Sequence, residues 1–317
     1  MKTRIYSTAV FLAFTAALFL LSSCDKDDDD TPSIAGLISN QSGFTTLNTA
    51  IIKGGLSAKL NGTEQLTFFA PNNDAFAAAG ITSTVLDGLS SSDVSKILYY
   101  HIIPSKILAA DVPAGPNAKV LTYNGDSVFV TKNTNGIFIN GIMVAEADML
   151  VNNGVVHKFN AGVLMPPVGN LLQAAAAAGL DSLVKAVNYA TTGAGGDPAI
   201  ATTLSSSLLT IFAPNNAAFS SLLADLGLTD ITQIPMPTLI ATLKFHAVEG
   251  RVFSSDLTNR NLTMISGGTT VINIPSTPST PPTISGLGNG TNSAKIVKLN
   301  IVANNGVIHL IDKILIP

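Results

Sequence analysis

Apolar side chains follow one another along this chain in three spacings, and each spacing predicts a different element. The first is a solid block, residues 9–21, interrupted only by Thr15. A membrane-spanning helix needs about 20 apolar residues, so a shorter block behind the basic Lys2 and Arg4 suits a secretory signal instead. The second spacing is a short β-type run, residues 66–70, apolar except for Thr67. Pro71 ends that run, Asn72 or Asn73 is placed to cap a following helix, and Asp74 favours its first turn. Helical spacing then appears at Leu86, Leu89, Val94, Ile97, Leu98 and Ile102. It predicts two short helices, split near residues 90–92 and ending by His101. Residues 120–148 read as strands, with 128–130 and 137–139 on either side of an Asn-Gly turn at 135–136 and another Asn-Gly at 140–141. Residues 171–179 form a helix by propensity, with Gly179 at its stop.

The pattern occurs twice. Residues 66–76, LTFFAPNNDAF, return as LTIFAPNNAAF at 209–219, an offset of 143. Residues 151–157, VNNGVVH, return as ANNGVIH at 303–309, an offset of 152. Between these blocks lie Tyr100-His101 and Phe245-His246, so all four histidines occupy repeat-equivalent positions. Two homologous domains are therefore expected, over residues 34–166 and 167–317, with Pro166-Pro167 stiffening the link. The blocks resemble those of the fasciclin domain: "FAPxNxAF" at 69–76 and 212–219, a Tyr-His pair, and "NGVIHxIDxVLLP" at 305–317. The first copy of that last block is longer by one residue and has Asn160 near the family's Asp. The resemblance implies an α+β fold of two tandem fasciclin-like domains, each a β-sandwich or wedge with a bundle of short helices. It also implies structural roles for Pro71, Asn73, Tyr100, His101, Asn153, Gly154 and His157 in the first copy. In the second copy the matching positions are Pro214, Asn216, His246, Asn305, Gly306, His309 and Asp312.

The amino terminus reads as an address. Leu21-Ser22-Ser23-Cys24 resembles the lipobox of bacterial lipoproteins, in which the cysteine is acylated and the chain is cut before it. Cys24 is the one cysteine among 317 residues, and residues 1–23 become the signal peptide. Residues 24–33 are then the acylated cysteine and an acidic tether. The run DKDDDD at 25–30 is similar to the surface-export signal of Bacteroidetes lipoproteins. A calcium loop does not fit this run, because position 6 is Asp30 rather than Gly and position 12 is Gly36 rather than Glu. Acyl chains supply enough buried methylene for stable anchoring. An outer-membrane lipoprotein exposed at the cell surface is expected, with the membrane reached through its lipid.

Composition narrows the chemistry. Without residues 1–30 the chain keeps 14 Lys and Arg against 15 Asp and Glu, which leaves no basic face for a nucleic acid. A single cysteine excludes a disulfide framework and cysteine-based metal sites. With no Trp, an aromatic platform for sugar stacking is poorly supplied. The histidines stand 56 and 63 residues apart within the copies, and copy one lacks the partner carboxylate Asp312 that copy two has. They read as buried rings that hold backbone rather than a metal. No nucleophile or phosphate-loop motif is present, so no enzyme and no cofactor are expected. Glu146 and Asp148 are expected on one strand face, where mutual repulsion raises a pKa. With Met149 they match three positions of the "EPDIM" stretch of integrin-binding animal relatives. The second copy carries an insertion at 273–292, rich in Pro, Ser and Thr. It is expected to stay out of the sheet as an extended loop, with Thr277, Thr280 and Asn289 as candidate contacts. By resemblance the role is adhesion to an extracellular polysaccharide, a matrix partner or another surface protein. A subunit docked on an outer-membrane transporter or envelope complex is the alternative, and a glycoside hydrolase, whose two carboxylates sequence alone does not place, the remote one.

Overall fold

Side-chain caps start most of the helices. In a computed structural model that describes residues 31–277 and 280–317, Ser33 accepts from the Gly36 N–H and opens α1 (Ile34–Asn40). The signal block, Cys24 and the acidic run lie outside the described residues. A 3-10 turn leads to α2 (Thr45–Lys53), then α3 (Ser57–Leu60) and β1 (Leu66–Pro71). Of the two candidate caps it is Asn72 that starts α4 (Asn73–Ala78), accepting from the Ala75 N–H at 2.8 Å. Thr82 caps α5 (Ser83–Gly88), and Ser90 caps α6 (Ser91–Tyr100). Ile102, expected on a helix face, sits instead in the short strand β2 (Ile102–Ile103), beyond the helix end at His101. Four more strands follow: β3 (Gly115–Leu121), β4 (Ser127–Asn133), β5 (Gly136–Ile139) and β6 (Ile142–Val151). The copy closes with β7 (Gly154–Phe159).

The second copy repeats this order with additions. Asn170 and Gln173 form a reciprocal capping box at α7 (Leu171–Ala177), before α8 (Asp181–Thr192) and α9 (Ala199–Ser206). Then come β8 (Leu209–Pro214), α10 (Asn216–Asp225) capped by Asn215, α11 (Met236–Lys244) and β9 (Ala247–Glu249). The remaining strands are β10 (Arg260–Thr263), β11 (Thr269–Asn273) and β12 (Thr283–Gly286). They lead to β13 (Ala294–Ala303) and β14 (Gly306–Ile311). No described helix is long and apolar enough to cross a membrane.

Each copy builds one seven-stranded sheet, in the orders β2-β1-β7-β6-β5-β4-β3 and β10-β11-β12-β13-β14-β8-β9. The parallel pairs β1–β7 and β8–β14 lie inside these sheets, and every residue of β1 and β8 is buried. Strands covered on both faces read as near-continuous apolar runs, here 66–70 and 209–213, each broken only by a threonine, Thr67 or Thr210. On one face, Leu47, Ile51, Leu56 and Phe76 pack with Leu66 and Phe68 into a core shared with the helices. On the other, Phe69, Val128, Val130, Ile139 and Phe159 pack together, so the two halves of the sheet fold over each other. This curled sheet with short helices is the mixed α+β fold, and its halves form the expected wedge.

One expectation about the insertion is corrected. Its Pro, Ser and Thr content predicts no strand pairing, yet Thr283 pairs with Asn273 and Gly286 with Thr270, which places β12 in the sheet. Ile284 supplies the reason: it is fully buried opposite Ile272, and that burial offsets the poor strand propensity of its neighbours. The free excursion shrinks to the segment between β11 and β12.

Candidate functional site

The four histidines are spent on backbone. Each of His101 and His246 caps a helix C-terminus, where the ring Nδ1–H donates back to Ile97 O at 2.8 Å and Thr242 O at 2.7 Å. Their Nε2 atoms accept from Leu164 N–H at 3.0 Å and Leu315 N–H at 2.9 Å, tying the last segment of each copy to its helices. His157 and His309 have the opposite tautomer. Nε2–H donates to Ile107 O at 3.0 Å and Val252 O at 2.8 Å, while Nδ1 accepts from the Asp148 and Asn300 N–H groups. Phe69 and Phe212 stack on these two rings at 5.8 and 5.5 Å. Burial pushes His101, His246 and His309 down to about 4, and lowers His157 as well. Among the described residues no group of three or more His, Cys, Asp or Glu is placed to hold a metal ion.

Tyr100 completes the first copy's motif. Its hydroxyl donates to Ser127 O and accepts from Asn140 Nδ2, both at 2.9 Å, and burial raises it to about 12. Phe245 takes its place in the second copy and lies buried among β-strand side chains without needing a hydroxyl partner. Pro71 and Pro214 end their strands opposite Phe159 and Ile311. Asn73 and Asn216 do not cap their own helices. They fasten a neighbouring one, accepting from Thr46 N–H and Ser182 N–H, both at 3.0 Å. Asp312 accepts from Lys295 N–H at 2.7 Å, and Asn160, near its place in copy one, accepts from Asn72 Nδ2 at 3.0 Å.

Asn153 and Asn305 make the turn before the closing strand into a hub. The Asn153 carbonyl accepts from Ile34 N–H at 2.9 Å, and its amide donates to Leu60 O and Gly62 O at 2.8 and 2.9 Å. Asn305 does the same for Leu171 N–H, Leu204 O and Ser207 O. Replacing Asn153 with Ala strands three backbone groups beside a buried side chain. We expect a loss of about 3 kcal/mol, read as a lower urea midpoint with an unchanged slope.

The residues proposed from sequence for outside contacts divide sharply. Glu146 and Asp148 do not form a repelling pair on one face. A bulge falls between Glu146 and Met149, and Asp148 takes φ 60° within it. Asp148 Oδ1 is committed to Ala109 N–H at 2.8 Å, and Met149 packs against the helical core. Glu146 and Asp148 are both exposed, but Glu146 has no backbone partner and faces only Lys158, at 3.3 Å. Asn289 is also withdrawn. Its carbonyl accepts from Gly286 N–H and Ile316 N–H, and its amide donates to Ile314 O, so it buckles the end of the chain to the insertion. Thr277 and Thr280 stay exposed at the loop tip, joined by a turn bond of 3.0 Å from Thr280 N–H to Thr277 O.

A seam between the copies was missed. Asn117, at φ 58°, donates to Arg251 O at 2.8 Å and Asp256 Oδ2 at 3.2 Å. Thr131 reaches Asp256 Oδ1 at 3.3 Å, and Ser254 Oγ donates to Gly141 O at 3.1 Å. Phe129 meets Phe253 at 5.9 Å and lies under the Arg251 guanidinium at 4.1 Å. That guanidinium also donates to Ala303 O, Gly306 O and Asn304 O, and burial lowers it to about 10. One signal was available: Arg251 breaks the repeat, since copy one has Lys106 at the equivalent position five residues after its histidine. These groups position surfaces and carry no pairing of nucleophile and base.

A family model described as the fasciclin domain matches residues 42–166 and 184–317. Protein sll1483 of Synechocystis sp. is 32% identical over 142 residues, covering 44% of this chain and 77% of that protein. Human periostin is 26% identical over 287 residues, covering 87% of this chain, but the chain spans only 31% of periostin. Among solved structures, a FAS1 domain pair from the insect cell adhesion molecule Fasciclin I is matched over 87% of this chain and 97% of that one. Its identity is 17% and its TM-score 0.38.

Proposed function

The chain belongs to the fasciclin family, whose domains generally act as adhesion and binding modules, and from that premise we propose a surface-tethered adhesion protein. It would be held to the outer membrane through lipid on Cys24 and raised by the acidic tether, with its two domains recognising an extracellular polysaccharide or matrix polymer. The observation that carries this reading is the seam. Asp256, Arg251, Phe253 and Ser254 fasten the second domain to Asn117, Phe129, Thr131 and Gly141 of the first. Two binding surfaces held in one arrangement convert the second contact with a repeating polymer into an intramolecular event, which raises avidity without new contacts. The exposed loop tip at Thr277 and Thr280, and Glu146 on the first domain, are the outward-facing groups that sequence and geometry leave for such contacts.

The test uses residues 31–317 against immobilised bacterial, plant and host polysaccharides and matrix proteins. Saturable retention on one class supports the reading, and its loss on deleting residues 275–282 places the contact at the loop tip. Retention on none of them contradicts it and moves the partner to a protein of the same envelope.

A further inference from the structure

The two domains differ where their helices meet the sheet, and the second is hollow there. A cavity of about 680 Å³ lies between α7, α8, α9 and the strands β8 and β9. Ligand pockets commonly fall within about 300–1,000 Å³.

The capping bonds align the copies position by position. Ile34 and Leu171 both donate their N–H to the hub asparagine, which pairs Ile38 with Ala175. Thr46 and Ser182 both donate to the second motif asparagine, which pairs Ile51 with Val187. Strand register pairs Phe68 with Ile211, and the helix-ending histidines pair Ile102 with Ala247. In the first domain these four large side chains are buried in one core cluster. In the second, all four smaller replacements line the cavity. A single Leu→Ala change of this kind opens an apolar space of about 150 Å³ that stays dry and takes up benzene.

The chain between the motif helix and the strand is also longer in the second copy. Twenty-seven positions separate Ser182 from Leu209, against twenty from Thr46 to Leu66, and α9 runs eight residues where its counterpart α3 has four. Ile200, Thr203 and Leu204 of α9 wall the cavity. Leu208, also on its wall, is half exposed and marks the mouth. There too stand Lys244, paired with Asp197 at 2.9 Å, and Glu249. No Phe or Tyr lines the space, so it offers branched aliphatic walls and no stacking surface.

We propose that this cavity binds the aliphatic chain of a lipid, with the chain inside and its polar end at the mouth beside Thr203 and Lys244. This goes beyond adhesion and does not depend on it. The test is titration of residues 31–317 with palmitate, in parallel with sedimentation on phosphatidylethanolamine vesicles. The same measurements are made on Ala175→Ile/Ala247→Ile, which restores the side chains of the first domain. Saturable palmitate binding that the double variant weakens about tenfold or more assigns the cavity to a free chain. Co-sedimentation that the variant abolishes assigns it to the chain of a bilayer lipid. Thermal unfolding of the variant checks its fold. If the refilled domain does not fold, a diazirine-bearing palmitate crosslinked to the unaltered protein replaces it, with labels expected in peptides from α7 to α9. No binding of either kind, binding unchanged in a folded variant, or labels confined to the first domain would overturn the proposal.

Discussion

Between pH 6.5 and 4 the protein is expected to lose most of its stability. His101, His246 and His309 are neutral in the fold down to about 4, against 6.5 for a free ring. Above 6.5 both folded and unfolded rings are neutral, and these groups give no pH dependence. Below 6.5 the unfolded ring takes up a proton and the folded ring does not, so the unfolded state binds more protons and stability falls with pH. The decline runs down to about 4, where the folded rings also titrate. At about 1.4 kcal/mol per pH unit, each ring contributes about 3 kcal/mol, comparable in sum to the whole stability of a domain. Protonation also forfeits a specific bond, because Leu164 N–H and Leu315 N–H need a lone pair on Nε2. Urea unfolding followed by circular dichroism at steps from pH 7.5 to 4.5 reads this directly. A midpoint that does not move over that range would show that the rings are solvated or already charged.

The second large effect is expected at the closing strands. A Cβ on Gly154 would stand 1.9 Å from Leu66 O, and one on Gly306 would stand 2.1 Å from Leu209 O. Both neighbours are backbone of the parallel partner strand, so no side-chain rotation relieves the overlap. Gly154 also has φ 146°, where a side chain is strained whatever the space. Gly154→Ala or Gly306→Ala must separate β1 from β7 or β8 from β14. The expected cost exceeds about 4 kcal/mol, seen as loss of the cooperative transition or of soluble protein. Gly125→Ala is the control: its φ is 90°, but a Cβ there meets nothing within 4 Å. It should cost about 1–2 kcal/mol. Equal behaviour of Gly125→Ala and either closing-strand variant would contradict the account of close strand approach.

Much of this architecture was legible because its signals are local. A cap lies within three residues of its helix, an Asn-Gly turn announces its own hairpin, and a buried parallel strand is a near-continuous apolar run. The repeat multiplied these signals, since each motif could be read twice. What stayed hidden depends on partners far along the chain. Asn289 looks like a loop residue until the last segment is laid against it, 25 and 27 residues later. Asp148 looks like the alternate neighbour of Glu146 until a bulge shifts it, and a bulge leaves no composition of its own. β12 was obscured by the Pro and Thr around Ile284, whose burial is decided by β11 across the sheet. The seam joins residues more than 110 positions apart, and only the break in repeat symmetry at Arg251 hinted at it. The cavity was unreadable for a further reason. Phe68 against Ile211 and Ile102 against Ala247 stand within or beside the repeated motifs. Ile38 against Ala175 and Ile51 against Val187, however, become visible only after the helices are aligned by their capping bonds, at offsets different from those of the sequence blocks.

The central claim, an adhesive pair of domains tethered to a surface, is tested most directly on intact cells. Three strains are compared under shear on surfaces coated with the polymer retained in the binding panel. One makes the full chain, one makes Cys24→Ala, and one lacks the protein. The account predicts that the full chain alone holds cells to the surface, while Cys24→Ala releases the protein to the medium and leaves the cells unattached. Cells held equally well without the chain would contradict the adhesive role, and cells held equally well by Cys24→Ala would contradict the tether.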